Sequence, residues 1–345
     1  MSRSFKFTKY FLWIAILVFV LSGCGEGTSG STENEKAEKV TITLASELAS
    51  GHYELKAIEY FGKLVEERSN GSINVEIHSG ASLMNAPEMY EGVSNRVVDA
   101  VLVASPFLEG QIPELGAFNY PGSYNFDTFM EFQKEAEPLL DEILKKHNMK
   151  HIFGTRIGEL VIVAKEGSGE LKTKEDFNGL MVRSVGGMFS EYAKSLGASP
   201  VNVPFSEVTI ALEQGTVDAY MGGWPNANSL QMHEIAPDVT ATDLSSGYWH
   251  GVYMNLDVWN ELSSEQQKIV MEAGYEAAIE SQKSAENAFG KFLKDMETGA
   301  NLSYLKDSDD SLYNNASEQI VDRLRSKNKD NDKMQNLIDL IEKNK

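Results

Sequence analysis

The stretches Glu88–Ala104 (EMYEGVSNRVVDAVLVA) and Glu207–Gly223 (EVTIALEQGTVDAYMGG) align with each other without a gap. Each opens on Glu, continues as a helical segment and reaches Val-Asp-Ala before a short run of strand-forming residues. A unit of helix, turn and strand is therefore predicted once in each of two lobes, although a match of this length also arises by chance. Asp99 and Asp218 precede the two strands and are interpreted as braces of the turn, since Asp is common in turns.

Short strands alternate with amphipathic helices along the rest of the chain. Val40–Ala45 is rich in β-branched residues, Tyr53–Arg68 has its apolar side chains near one helical face, and Ile73, Val75 and Ile77 alternate as in a strand. This alternation predicts an α/β fold. The roughly 320 residues that follow the N-terminal segment exceed what one hydrophobic core usually supports, so two lobes are predicted.

Two predicted helices bear on how the lobes are connected. Ser263 and Gln266 form a capping box, and the helix that follows is predicted to run past Glu280 towards Lys294 and to lie across both lobes. Asn125–His147 is also predicted to be helical, with a kink or a break at Pro138. Further predictions are strands around His151–Phe153 and Leu160–Val163, and a charged helical tail over 317–345 on the outside of the second lobe.

The N-terminal segment is typical of an export signal. It has a basic start, an apolar run from Phe11 to Leu21, and then Ser22-Gly23-Cys24. The apolar run is too short to span a bilayer. Cys24, the only cysteine, stands where a lipoprotein signal peptidase would cut, so it is predicted to carry lipid and to hold the protein on the extracytoplasmic face of the cell membrane. The alternative is an ordinary cleaved signal with an incidental cysteine.

The predicted organisation has four parts. Residues 1–23 are the signal peptide and 24–39, which are poor in apolar residues, are a flexible tether. Lobe 1 comprises 40–153 and about 248–287, and lobe 2 comprises 154–247 and about 288–345. The tether contains a GxGxxG pattern at 25–30, but no strand precedes it and no helix follows it, which excludes a dinucleotide site.

Composition excludes several classes of function. The net charge of −20 disfavours nucleic acid and an anionic lipid face as partners, and it requires a locally positive pocket for any anionic ligand. A GxSxG motif is absent, the single cysteine is assigned to lipid and the six histidines are scattered, so an enzyme is not predicted. No cofactor is predicted.

No metal site is predicted either. His147 and His151 have i,i+4 spacing but straddle a predicted helix end at Asn148, so they are interpreted as surface histidines. The acidic cluster at 307–310 lacks the Gly and the distal Glu of a calcium loop and is interpreted as a solvated loop.

Two arginines are candidate ligand-binding residues. Arg183 ends the strand-like run from Gly179 to Val182 and precedes Gly186-Gly187, and Arg156 stands at a similar junction. A strand end followed by glycines is where α/β proteins bind ligands, and a guanidinium matches a carboxylate in two parallel hydrogen bonds. The alternative for each arginine is a structural salt bridge.

Several spaced motifs resemble the substrate-binding proteins of TRAP (tripartite ATP-independent periplasmic) transporters. Leu171–Arg183 resembles the family's "eDlkGlkiR", which ends on the ligand arginine, and Leu196–Val201 resembles its "lGAsPv". Phe205–Asp218 resembles "fsEvyxALqxGxvDg", and Asn255 with Leu262 fits a later stretch. The resemblance covers most of Val40 to about Asn287 and keeps the family's order of motifs.

The resemblance implies a two-lobed fold like that of periplasmic binding proteins, which closes on a small organic acid and delivers it to integral-membrane TRAP transporter subunits. It implies that Arg183 binds the carboxylate, and Arg156 resembles a second arginine found in part of the family. The sequence departs from the family at Arg96, which replaces a usual Gly, and at Gly222-Gly223-Trp224-Pro225, which replaces a stretch that often carries a ligand-contacting Asn.

The second departure suggests a carboxylate attached to a ring or another sizeable apolar body. The two glycines would let a ring approach the backbone, and four aromatic residues would form a flat wall beside it, or else would be ordinary core: Tyr220, Trp224, Tyr248 and Trp249. Asn255 is a further candidate binding residue. A receptor that presents its closed form to a signalling protein is the alternative function, because it needs the same cleft.

Overall fold

The computed structural model describes residues 39–50, 52–306 and 311–345, without the side chains of 286 and 287. The predicted signal peptide, Cys24, the GxGxxG pattern and the acidic cluster at 307–310 lie outside the described residues, as does the tether apart from Lys39. No helix of the described segments is both long and apolar enough to cross a bilayer.

The described strands form two sheets, with the order β2-β1-β3-β10-β4 in the first and β11-β9-β5-β8-β6-β7 in the second. The strands are β1 (Val40–Ser46), β2 (Ile73–His78), β3 (Ala100–Ala104), β4 (Met149–Arg156), β5 (Glu159–Ala164), β6 (Met181–Ser184), β7 (Ser199–Asn202), β8 (Ala219–Gly223), β9 (Asp238–Ser245), β10 (Trp249–Asn255) and β11 (Asn301–Leu305).

Helices pack on both sheets. They are α1 (Tyr53–Arg68), α2 (Met89–Ser94), α3 (Phe129–Leu144), α4 (Lys174–Phe177), α5 (Gly187–Leu196), α6 (Val208–Glu213), α7 (Trp224–Ser229), α8 (Leu256–Glu261), α9 (Ser264–Gly299), α10 (Ser311–Lys327) and α11 (Asp332–Lys343). The fold is therefore α/β and two-lobed, with one lobe around each sheet, as predicted.

The two sheets share a core of the same topology. In the first, β1 lies between β2 and β3 and is parallel to both, and in the second, β6 lies between β7 and β8 and is parallel to both. Asp99 accepts a hydrogen bond from the backbone N–H of Thr43 on β1, and Asp218 accepts one from that of Met181 on β6, each at 2.8 Å. Both aspartates brace the turn, which confirms that prediction.

Two chain crossings connect the lobes, from β4 to β5 and from β9 to β10. Each contains a glycine with positive φ, 83° at Gly158 and 90° at Gly247. The crossings are tied to each other, because the backbone N–H of Ser246 donates to the carbonyl of Gly158 at 2.9 Å. These segments are where a rotation of one lobe against the other would change the backbone dihedral angles.

Helix α9 is a third connection. It begins with the predicted capping box of Ser263 and Gln266 and extends to Gly299, five residues past the predicted Lys294 (299 − 294). It packs on α1 and β4 of the first lobe and on α7 and β11 of the second, so the helix that crosses both lobes is confirmed.

Helix α3 is not split at Pro138, and the alternative outcome, a kink there, stays a prediction. It is one continuous helix with Pro138 inside, so the chain is not broken there. Pro138 is exposed, and so is Lys134, whose carbonyl oxygen loses the N–H partner that a residue other than proline would supply. Water can satisfy that oxygen, which explains why the helix tolerates the proline.

The exact lobe boundaries stay predictions, but two features differ from the proposed division. β4 continues past residue 153 to Arg156 within the first sheet. The C-terminal tail does not lie on one lobe, since α10 packs on α5 whereas α11 packs on α3 and on the 3-10 segment Pro113–Phe118.

Candidate functional site

Arg183 lies on the central strand β6 of the parallel core, near its carboxyl end. Its side chain is 1% exposed. The Nε atom donates to the carbonyl of Val203 at 2.9 Å, and the guanidinium carbon lies 5.5 Å from the centre of the Tyr220 ring. Nη1 has no hydrogen-bond partner among the described residues. A buried cation with an unsatisfied donor is costly, so the site fits an anionic group.

Tyr248 lies beside Arg183, just before strand β10. Burial raises the pKa of Tyr248 to about 12, with the positive charge of Arg183 acting in the opposite direction. Its ring packs edge to face against Phe189 of α5, with the centroids 5.1 Å apart. Tyr220 and Tyr248 are therefore the two aromatic residues next to the guanidinium.

Glu47 faces the same site from the first lobe, directly after β1. The side chain is 5% exposed. Burial raises the pKa of Glu47, while His250, Arg183 and a hydrogen bond from the backbone of Ala86 act to lower it. Its Oε2 atom has no hydrogen-bond partner within the described part of the chain. Glu47 and Arg183, each with one buried atom without a partner, thus lie at the carboxyl ends of two central parallel strands and influence each other electrostatically.

A buried polar network continues from this pair across the lobes. The Glu54 carboxylate accepts the Thr155 hydroxyl and pairs with Nδ1 of His250. His52 is the N-cap of α1, and its Nε2 lies 2.9 Å from Oδ1 of Asn226 on α7 of the second lobe. Burial lowers the pKa of His52, with Glu54 acting against it, so the neutral ring is favoured. The contact between His52 and Asn226 joins α1 to α7.

Arg156 lies at the carboxyl end of β4, where the chain crosses between lobes, and is 1% exposed. Its guanidinium carbon lies 4.1 Å from the centre of the Phe126 ring. Its carbonyl accepts the Tyr53 hydroxyl at 2.8 Å. Burial raises the pKa of Glu159, and the positive charge of Arg156 acts to lower it. Arg156 is therefore within electrostatic reach of Glu159 at the crossing from β4 to β5, and its role in ligand binding stays a prediction.

The predicted aromatic wall is divided between three places. Tyr220 and Tyr248 lie at Arg183. Trp249 is in the core of the first lobe, with its ring 4.3 Å from that of Phe118, because neighbouring strand residues point to opposite faces. Trp224 packs on α9, 5.2 Å from the Phe292 ring, and its indole N–H donates to Glu159 at 2.8 Å. The wall of four residues is therefore wrong for Trp224 and Trp249.

Asn255 is also not placed as predicted. Its Oδ1 caps α8 by accepting the backbone N–H groups of Asp257 and Val258, and its Nδ2 donates to the carbonyl of Val93 at 2.8 Å. Both ends of the amide are used within the fold, so Asn255 is a structural residue.

The glycines Gly222 and Gly223 have a structural explanation too. A Cβ atom at Gly222 would lie 2.3 Å from the Tyr220 hydroxyl, and one at Gly223 would lie 2.0 Å from the carbonyl oxygen of Ile157. They make room for protein atoms, which corrects the expectation that they admit a ligand ring.

No group of three or more His, Cys, Asp or Glu side chains in the described ranges is arranged as a metal site. His147 accepts or donates a hydrogen bond with the Tyr90 hydroxyl at 2.9 Å. His151 is 3% exposed and stacks on Trp249, with the ring centres 5.5 Å apart. The prediction that both are surface histidines is thus wrong for His151, which lies on β4 with its side chain in the core.

The carboxylate of Glu47 and the network of His52, Glu54 and His250 were not predicted from the sequence. One signal was available for Glu47, because it follows the β-rich run of β1 at the end where α/β folds bind ligands. The network offered none, since Glu54 and His250 are 196 positions apart in the chain.

The model of the family "Bacterial extracellular solute-binding protein, family 7" matches residues 44–328. A solute-binding protein of Albidiferax ferrireducens is 25% identical over 236 residues, which cover 66% of this chain and 68% of the relative.

Two solved structures show the same fold. A TRAP periplasmic solute-binding protein of Desulfovibrio salexigens with bound orotic acid has a TM-score of 0.80 and 20% identity over 89% of this chain and 98% of its own. A Bordetella pertussis extracytoplasmic solute receptor that binds pyroglutamic acid has a TM-score of 0.78 and 20% identity over 88% of this chain and 99% of its own.

Proposed function

The chain belongs to family 7 of the bacterial extracellular solute-binding proteins, the TRAP type, and we propose that it binds a small organic acid through Arg183 and delivers it to an integral-membrane TRAP transporter. Members of this family are substrate-binding receptors and not enzymes. The observation that carries the proposal is the fully buried Arg183 guanidinium, with an unsatisfied Nη1, between the two lobes. The acids bound by the pyroglutamate and orotate receptors support this ligand class.

The proposed cycle uses the two-lobed fold. With the lobes apart, Arg183 is open to solvent and attracts a carboxylate despite the acidic surface. Closure then removes water from around Arg183 and the ligand carboxylate, which strengthens each charge-assisted hydrogen bond between them. Ligand binding energy favours the closed population, which the membrane partner recognises.

Thermal unfolding against a panel of aliphatic, aromatic and sugar carboxylates tests this function. A saturable rise in melting temperature is expected with the cognate acid, because a ligand that binds only the native state stabilises it. Arg183→Lys keeps the charge but loses the fork, and we expect it to weaken binding by about 100-fold (~3 kcal/mol). Arg96→Lys is the matched control, since Arg96 is an exposed arginine that pairs with Glu261. Equal affinity of Arg183→Lys and the wild type would refute the carboxylate assignment.

We also propose that Cys24 carries the lipid that holds the receptor on the extracytoplasmic face. Its position after Ser22-Gly23 supports this. The Cys24→Ala variant should lose palmitate incorporation and leave the membrane fraction. A variant that stays with the membrane would contradict lipid anchoring, and release of the wild type into the medium would indicate an ordinary cleaved signal.

A further inference from the structure

Ionisable side chains from both lobes face the closed site. Arg183 faces the site from the second lobe and Glu47 from the first; burial raises the pKa of Glu47, and the positive charges of His250 and Arg183 act to lower it. The other acids nearby have partners in the protein: Glu54 is bonded by Thr155 and His250, Glu159 accepts the indole N–H of Trp224, and Glu109 accepts from Met188 and Asn119. With Glu47 ionised, its charge and that of Arg183 balance each other before a ligand enters.

Each member of this pair retains an atom for a ligand. Nη1 of Arg183 and Oε2 of Glu47 are both buried without a hydrogen-bond partner in the described residues. Burial raises the pKa of Tyr248, Arg183 acts to lower it and Glu47 to raise it, so both side chains are within electrostatic reach of its hydroxyl. One atom is a donor that needs an acceptor, and the other is an acceptor that needs a donor.

A simple monocarboxylate would satisfy only half of this arrangement. It would neutralise Arg183 but leave Glu47 as a buried acid beside a second anion, and like charges in a buried site are strongly unfavourable. A hydroxyl on the ligand would donate a hydrogen bond to Glu47 but would leave the negative charge of Glu47 uncompensated. An ammonium group would donate the hydrogen bond and compensate the charge. A zwitterion, moreover, adds no net charge to a balanced site.

We propose that the ligand is a zwitterion, an amino-acid-like molecule whose carboxylate binds Arg183 and whose ammonium group binds Glu47. This inference rests on the proposed function, since it takes Arg183 as the carboxylate site and adds the second charge. It assigns Glu47 as the residue that selects zwitterions against plain organic acids.

The test uses sets of three acids that share a skeleton and differ in one substituent: propionate, lactate and alanine; succinate, malate and aspartate; 3-phenylpropionate, phenyllactate and phenylalanine; with cyclopentanecarboxylate and proline as a cyclic pair. Affinities are measured by calorimetry and by thermal shift on the full-length protein. In at least one set the amino acid should bind about 100-fold more tightly than the unsubstituted acid, with the hydroxy acid between them.

Glu47→Gln has nearly the same shape as the wild type and lacks the charge. We expect it to lose at least about 50-fold in affinity for the amino acid and to keep its affinity for the unsubstituted acid within about threefold, so the preference collapses. Glu47→Asp keeps the charge and should keep the preference. Glu166→Gln, an exposed acid, is the control. The melting temperature of each ligand-free variant verifies that it folds.

The outcomes separate the two proposals. An unsubstituted acid or hydroxy acid that binds as tightly as the amino acid, or a preference that survives Glu47→Gln, overturns the zwitterion while Arg183 keeps its role. Failure of every carboxylate to bind, or binding that is unaffected by Arg183→Lys, overturns the proposed function together with this inference.

Discussion

The carboxylate of Glu109 accepts the backbone N–H of Met188, which lies 3.1 Å from Oε1 and 3.2 Å from Oε2. Glu109 follows β3 of the first sheet, and Met188 is in the first turn of α5, which follows β6 of the second. A carboxylate at a helix N-terminus is favourable, because the unpaired N–H groups and the helix dipole attract negative charge. This contact therefore stabilises the closed arrangement of the lobes close to Arg183.

Removing the charge of Glu109 should weaken ligand binding although Glu109 is not proposed to touch the ligand. We expect Glu109→Gln to lower affinity about fivefold, because a helix-end interaction of roughly 1 kcal/mol shifts the population away from the closed form. Calorimetry gives the affinity, and small-angle scattering with and without ligand gives the fraction closed. Exposed Glu166→Gln should match the wild type, and unchanged affinity in Glu109→Gln would exclude this role.

The features that depended on neighbouring residues were predictable from the sequence. The capping box of Ser263 and Gln266 needs only four positions, and the braces at Asp99 and Asp218 follow from a repeated turn. The repeat extends to the backbone, since Arg96 and Gly215 occupy equivalent positions and have φ values of 55° and 69°. A left-handed residue at that point explains why Gly is usual there.

The features that depended on distant contacts were not predictable. Trp249 and Tyr248 are neighbours in sequence, and only the strand register decides that one enters the core while the other reaches Arg183. The bond between Glu54 and His250 joins α1 to β10, and nothing in either stretch indicates the other. Trp224 follows β8 in the lobe that contains Arg183, but its ring packs on α9. The position of α9 across both lobes could be predicted from the sequence, whereas the face on which Trp224 packs could not.

The stability of the protein should fall in acid because of His151. Burial lowers the pKa of His151 to about 3, with Lys150 acting in the same direction. An unfolded histidine has a pKa of about 6.5, so the unfolded chain binds the proton first and the free energy of unfolding decreases as the pH drops from about 6.5 towards 3.

Replacing His151 with Phe should remove this dependence. Between about pH 7 and pH 4.5 we expect the wild type to lose about 2 to 3 kcal/mol more unfolding free energy than His151→Phe, which keeps the ring against Trp249. Urea unfolding at both pH values gives the two differences. Parallel pH profiles for the wild type and the variant would show that His151 takes up its proton without unfolding.

Gly247 and Gly290 both lie in segments that connect the lobes, and Gly247 should be the more sensitive of the two to substitution by alanine. Its φ is 90°, and a Cβ atom there would lie 2.3 Å from the carbonyl carbon and oxygen of Tyr120. Gly247→Ala should therefore cost at least about 2 kcal/mol of unfolding free energy. Gly290 in α9 has no atom within 4 Å of the equivalent position, and Gly290→Ala should stabilise the helix by about 0.5 to 1 kcal/mol. Urea unfolding of the two variants measures both effects, and similar values would contradict the clash at Gly247.

The division of the aromatic residues predicts opposite effects for two conservative changes. Tyr248→Phe removes a hydroxyl beside Arg183 and Glu47 and should lower ligand affinity about tenfold, with a small change in the melting temperature of the ligand-free protein. Trp224→Phe removes the indole N–H that Glu159 accepts and part of the packing on α9, so it should cost about 2 kcal/mol of stability.

Trp224→Phe should also leave affinity within about twofold, because its partners are Glu159 and Phe292. Calorimetry and thermal unfolding on both variants give the two quantities. The decisive quantity is the ratio of lost affinity to lost stability, which is high for a residue of the site and low for a residue of the core. A large loss of affinity in Trp224→Phe with an unchanged melting temperature would restore Trp224 to the site and would mean that the ligand extends from Arg183 to the crossing beside Gly158.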